Sequence, residues 1–192
     1  MKTFLFSTCL LLIFINASGQ TKNEVLFQAK IENRNWDHLY IKDTDYNTVQ
    51  IIDIDNDGLF KADLSSIKDG LYLLFDGTEY FKIYLKKGYD LQITMDANHF
   101  RETIKYSGTG SDINNFLAKE SAYEVDYDYG KLSSAKTNKK IEKLIAEKEK
   151  TAIHRLNANP NFDKEFVAIE LGAYKSHSDE LKKYYGELRE MN

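Results

Sequence analysis

Val25-Leu26-Phe27-Gln28-Ala29-Lys30-Ile31-Glu32 decides how the first half of this chain is read. Val25, Phe27, Ala29 and Ile31 fall on one side of an extended backbone, and Gln28, Lys30 and Glu32 on the other. A period of two belongs to a strand with one buried and one wet face. Working outward, the period recurs at Leu39 and Ile41, at Phe60, Ala62 and Leu64, and at Leu71, Leu73 and Phe75. It recurs again at Phe81, Ile83 and Leu85, at Leu91, Ile93 and Met95, and at Ile104 and Tyr106.

Turn-forming residues separate these runs: Asn33 to Asn35, Asp43 to Asn47, Asn56-Asp57-Gly58, Asp69-Gly70, Asp76-Gly77 and Lys87-Gly88. Asn and Asp tolerate left-handed backbone and Gly favours it, so these segments are expected to be hairpin connections. About eight short strands at this spacing predict an antiparallel β-sandwich or small barrel.

From Ser111 onward the period becomes helical. Ser111 or Asp112 is placed to cap a helix through Ile113, Phe116 and Leu117 that fades between Tyr127 and Gly130. A second helix is expected from Ser134 to Ala158, with an apolar stripe of Ile141, Leu144, Ile145, Ala152 and Leu156, stopped before Pro160. A third carries Phe162, Phe166, Ile169 and Ala173, and a fourth, starting near Ser178, carries Leu181, Tyr184, Tyr185 and Leu188. The fold expected is therefore α+β: a β-sandwich over residues 20–107, then a helical region over 108–192 with about four α-helices.

Residues 1–19 have the three parts of a cleavable signal peptide: Lys2, an apolar run from Phe4 to Ile15, and small residues at Ala17-Ser18-Gly19. The run is too short to span a bilayer, which takes about 20 apolar residues. The expectation is export, to the periplasm or cell envelope, with no membrane span after cleavage. Cys9, the only cysteine, would leave with this segment, so the mature chain would have neither disulfide nor thiolate chemistry. The formal charge of −4 becomes more negative by the loss of Lys2 and argues against nucleic-acid binding, which needs a basic surface.

Asp53-Ile54-Asp55-Asn56-Asp57-Gly58 matches the first half of an EF-hand calcium loop, with Asp53, Asp55 and Asp57 at positions one, three and five. Leu64 stands where the loop needs its bidentate carboxylate, and the flanks read as strands. A β-hairpin tip is the simpler reading. His38, His99, His154 and His177 show no metal-ligand spacing, and no HExxH or GxSxG occurs. Gly108-Thr109-Gly110 lacks the residues of a dinucleotide or phosphate loop and reads as a strand-to-helix turn. Asp126-Tyr127-Asp128-Tyr129-Gly130, with Tyr123 and Glu124, reads as a solvated acidic loop or a partner contact. No catalytic residue, cofactor or metal is expected.

Several short motifs follow one another in a set order: Phe27-Gln28-Ala29-Lys30-Ile31, Asp57-Gly58-Leu59-Phe60, Asp69-Gly70-Leu71-Tyr72 and Tyr84-Leu85-Lys86-Lys87-Gly88. Tyr106-Ser107-Gly108-Thr109-Gly110 and Asn114-Asn115-Phe116-Leu117 complete the series. In this order they resemble the N-terminal region of exported TlpA/ResA-like thiol-disulfide oxidoreductases of Bacteroidetes-type bacteria. The resemblance covers residues 24–120 and implies a β-sandwich and helical segment that precede a thioredoxin-fold domain. The catalytic CxxC of that family has no counterpart here. The resemblance therefore implies a non-catalytic accessory module acting on a protein partner in the cell envelope, or a truncated family member. The rival expectation is a sandwich that binds a glycan or small ligand through strand aromatics, with Trp36 and the tyrosines gathered on one concave face.

Overall fold

The computed structural model describes residues 23–190, so the expected signal segment lies outside the described residues. The chain forms β1 (Leu26–Glu32), β2 (His38–Lys42), β3 (Thr48–Asp53), β4 (Phe60–Asp63), β5 (Gly70–Phe75), β6 (Tyr80–Leu85) and β7 (Asp90–Asp96). A single turn, α1 (Phe100–Thr103), precedes β8 (Lys105–Thr109). Then come α2 (Ser111–Val125), the short α3 (Gly130–Ser133), α4 (Asn138–Asn157) and α5 (Lys164–Glu190).

The strands make two four-stranded sheets, ordered β4-β1-β7-β8 and β3-β2-β5-β6. Phe27, Ala29 and Ile31 of β1 are buried, as the alternation requires. They share one apolar core with Leu39, Ile41 and Ile52 of the second sheet and with Leu91, Ile93 and Met95 of β7. The fold is α+β with a sandwich-like pair of sheets.

Three features differ from the sequence expectation. First, β1 pairs with β7 in parallel, so the sheets are mostly rather than wholly antiparallel. Most of the turns do not close hairpins. Asp43 to Asn47 and Asp76-Gly77 join neighbouring strands, but Asn33 to Asn35, Asp69-Gly70 and Lys87-Gly88 carry the chain from one sheet to the other. A crossover between stacked sheets needs the same left-handed turn residues as a hairpin, so the residues alone do not separate the two.

Second, the phase of β5 is reversed. Leu74 enters the sandwich core, and Leu71, Leu73 and Phe75 face outward. All five residues from Leu71 to Phe75 are apolar, so alternation does not choose a face. Third, the expected third and fourth helices are one helix, α5. Phe166, Ile169, Ala173, Leu181 and Tyr185 keep a helical period across Gly172, and a lone glycine costs only about 1 kcal/mol.

The turn before α2 forms through Gly110, whose φ of +91° and close approach to the Tyr89 ring leave no room for a Cβ. Gly110, not Ser111 or Asp112, occupies the cap position. From this start α2 closes the open edge of both sheets. Asn114 is fully buried; its Oδ1 accepts from the Tyr84 N–H (2.8 Å), and its Nδ2 donates to the Tyr84 carbonyl (3.0 Å). Asn115 does the same for Tyr106, at 3.0 and 2.8 Å. Tyr84 lies on β6 and Tyr106 on β8, the edge strands of the two sheets. Consecutive asparagines thus satisfy edge backbone groups that would otherwise be buried without partners.

A second apolar cluster joins helices to sheet: Tyr84, Ile113, Phe116, Leu117, Leu156 and Phe166. Asp163 locks this seam. Its carboxylate accepts from the Glu165 and Phe166 N–H groups at the start of α5 and pairs with Lys86 just after β6. The Lys86 hydrogen bond holds the Asp163 carboxyl below the usual carboxylate range. A third cluster, Leu132, Ile141, Ile145 and Tyr185, ties α3, α4 and α5 together.

Candidate functional site

The outer face of the β3-β2-β5-β6 sheet is covered at one end and bare at the other. Strand register places Ile51, Tyr40, Phe75 and Tyr80 in one straight row across all four strands. Same-face side chains at paired positions touch, so the row is a continuous apolar strip. Ile51 is 48% and Tyr80 43% exposed. The pairing that makes the row is long-range, which is why strand periodicity alone does not reveal it.

Trp36 and Tyr46 extend the strip from the loops on either side of β2. Trp36 stands edge to face on Tyr40 (6.1 Å, 72°) and on Phe75 (6.1 Å, 76°). Phe75 stacks on Tyr80 at 4.4 Å and 20°, and Tyr46 meets Tyr80 at 5.3 Å and 89°. Five rings therefore form one unbroken chain. Tyr46, at 60% exposure, is the most open of them. The Lys42 ammonium lies 5.9 and 6.0 Å from the Tyr40 and Phe75 rings and donates to the Tyr46 carbonyl at 3.2 Å.

Trp36 is held in place rather than loose. Asp76 is buried beside it; Asp76 accepts from the Thr78 and Glu79 N–H groups and from Asn35 Nδ2 at 3.0 Å. This bond ties the Trp36 loop to the β5–β6 turn. Gly77, at φ +100°, lets the indole lie flat on the turn, since a Cβ there would stand 2.6 Å from the ring. Arg34 pairs with Asp37 on the far side of the loop at 2.9 Å. The large, exposed indole is thus held in one orientation by its surroundings.

The other sequence candidates lie elsewhere. Asp55 builds the turn before β4: its Oδ1 accepts from the Asp57 and Leu59 N–H groups, and its Oδ2 takes Lys61 Nζ at 2.7 Å. The Lys61 hydrogen bond depresses the Asp55 pKa. Asp57 reaches the same ammonium at 3.8 Å, and Asp53 pairs instead with His38 at 2.6 Å. The three carboxylates are divided between two cationic partners in a hairpin-like tip closed by the Ile54–Phe60 bridge. Among the described residues, no group of three His, Cys, Asp or Glu side chains gathers as a metal site would require.

The Tyr127 and Tyr129 rings pack against the third apolar cluster, so this acidic stretch is part of the helical layer. Among the described residues no helix is long and apolar enough to cross a membrane. The chain matches no family model, no curated protein and no solved structure.

Proposed function

We propose that this protein is a non-catalytic accessory module of the cell envelope, and that the row of Ile51, Tyr40, Phe75 and Tyr80, with Trp36 and Tyr46, is where it holds a partner protein. The observation that carries this reading is the aromatic strip itself. Its rings are gathered and fixed, with Trp36, Tyr46 and Tyr80 exposed and Tyr40 and Phe75 half-buried between them, and among the described residues they belong to no buried core cluster. Contiguous exposed apolar surface of this kind marks interaction sites, and Trp and Tyr dominate the energetic centres of protein interfaces. The ordered strand-turn motifs that resemble the N-terminal region of TlpA/ResA-like oxidoreductases support an accessory role outside the cytoplasm. So does the reading of residues 1–19 as a signal peptide that removes Cys9.

The same gathering of Trp36 and the tyrosines favours the rival glycan-binding reading over one with scattered aromatics. The ring geometry separates the two. A sugar stacks on a flat ring face, whereas Trp36 rests one face on Gly77 and Tyr80 turns one face to Phe75. Edges and mixed orientations suit side chains of a protein partner better.

Photo-cross-linking in cells tests this. A benzophenone amino acid at Tyr80 is expected to yield a discrete protein adduct, with none from the exposed Lys30 on the other sheet. Adducts from neither position, or equally from both, would contradict the proposal. Retention of purified chain on an oligosaccharide matrix, lost in Trp36→Ala, would favour the glycan reading.

A further inference from the structure

We propose that the cavity between α2, α4, α5 and the outer face of the β3-β2-β5-β6 sheet binds a small organic primary amine, with Glu170 as its carboxylate anchor. This site is separate from the partner-binding row and does not depend on it; Tyr80 alone belongs to both.

Glu170 is 1% exposed, and neither of its carboxylate oxygens has a partner at full hydrogen-bond geometry, although the Tyr174 hydroxyl stands close by. The nearest cation, Lys82 Nζ, stands 4.0 Å away on a half-exposed side chain. The three other lysine and arginine cations of the wall face other carboxylates, Lys131 standing 3.7 Å from Asp128. Arg155 makes a two-pronged pair with Glu120 at 2.6 and 2.8 Å and lies over the Tyr123 ring. Lys148 pairs with Glu124 at 2.5 Å and lies over the Tyr127 ring. A buried carboxylate with two empty acceptor oxygens is costly to keep, and a charged donor entering the cavity removes that cost.

The wall indicates which donor. Seven carboxylates line the cavity against four lysine and arginine side chains, so its field favours a cation. The volume, about 890 Å³, lies within the range of small-molecule sites. A primary ammonium offers three N–H donors. Two meet the empty Glu170 oxygens and the third meets the hydroxyl of Tyr174, one turn along α5, which itself donates to Glu120 at 3.4 Å. Among the described residues no group of three His, Cys, Asp or Glu side chains gathers as a metal site would require, which favours an organic cation over a bare metal ion. Burial raises the Glu170 pKa; Lys82 opposes that, Glu120 adds to it, and the nearby Tyr174 hydroxyl opposes it weakly. An incoming ammonium completes the neutralisation that Lys82 leaves partial.

The test is calorimetric titration and thermal melting of the whole mature chain at about pH 8 with butylamine and 1,4-diaminobutane. Butanol, butyrate and potassium chloride at matched ionic strength serve as controls. The amines are expected to raise the melting temperature by a few degrees, as ligands that bind only the folded state do. The controls should not. Glu170→Gln should weaken amine binding at least about tenfold, the scale of a lost charge-assisted pair. Ala173→Leu, which fills the cavity and leaves Glu170 in place, should abolish binding, so the outcome does not hang on one variant. Trp36→Ala should bind amines normally, which separates failure here from failure of the partner surface. No response of the wild type to amines, or an equal response in Glu170→Gln or Ala173→Leu, would overturn the proposal.

Discussion

One face of one sheet is treated in two ways. Under the helices, the outer side of β5 and β6 presents Leu71 and Tyr84; Tyr84 is fully buried among Phe116, Phe166 and Leu117. A few residues along the same strands, the same-face positions Phe75 and Tyr80 carry large apolar side chains that the helices do not bury: Phe75 is half-buried under Trp36, and Tyr80 is 43% exposed. In the covered half, polar groups are spent inside the molecule: Asn114 on the β6 backbone, Asp163 on Lys86 and the start of α5. In the bare half, Asp76 and Gly77 close the β5–β6 turn and, with Asn35, hold Trp36 where solvent reaches it. Burial against the helices distinguishes the covered half, and its absence among the described residues is the ground on which the bare half is proposed as a binding surface.

Truncation in the covered half should cost most. Phe166→Ala removes a fully buried ring from the seam and is expected to lose about 3–5 kcal/mol in denaturant unfolding. Asn114→Ala should follow at about 2–4 kcal/mol, because the N–H and C=O of Tyr84 are left buried and unpaired. Asn115→Ala, less enclosed, should lose less.

The two carboxylates of the α5 region sharpen the comparison through pH. Asp163 has a lowered folded pKa, so its contribution is complete above the ordinary value of 3.8 and is lost as pH falls through the folded value. Glu170 has a raised folded pKa, so stability falls as pH rises from 4.5 through that value. Melting profiles should show Asp163→Asn least stable relative to wild type at neutral pH, the gap closing below about pH 4. Glu170→Gln should show the reverse sign: near wild type in acid and at or above it at neutral pH. The same sign for both variants would contradict this division of the helix.

The smallest expected stability effect lies in the bare half. Tyr46→Ala should change unfolding by less than about 1 kcal/mol, as its ring is mostly in water.

Much of the scaffold was legible in the residues. Phe27, Ala29 and Ile31 announce β1, and Ile141, Ile145, Ala152 and Leu156 announce the buried stripe of α4. What escaped depends on partners distant in sequence. The parallel β1–β7 pair joins residues far apart, and the outward phase of β5 follows from cover supplied by α2 and α5. The aromatic row exists only once Tyr40, Phe75 and Tyr80 are brought into register, and the poor hydrogen bonding of Glu170 shows only when its neighbours are in place. Asn114-Asn115 stood in the sequence as an ordered motif, but its pairing with two sheet edges needs both sheets.

If the aromatic strip serves binding and not folding, loss of Trp36 separates the two. The most direct measurement joins the two quantities: the yield of cross-linked partner from a benzophenone at Ile51, with and without Trp36→Ala, beside the melting temperature of each chain. The adduct is expected to fall at least about fivefold while the melting temperature moves by no more than a few degrees. An undiminished adduct, or a collapse in stability that accounts for its loss, would contradict it.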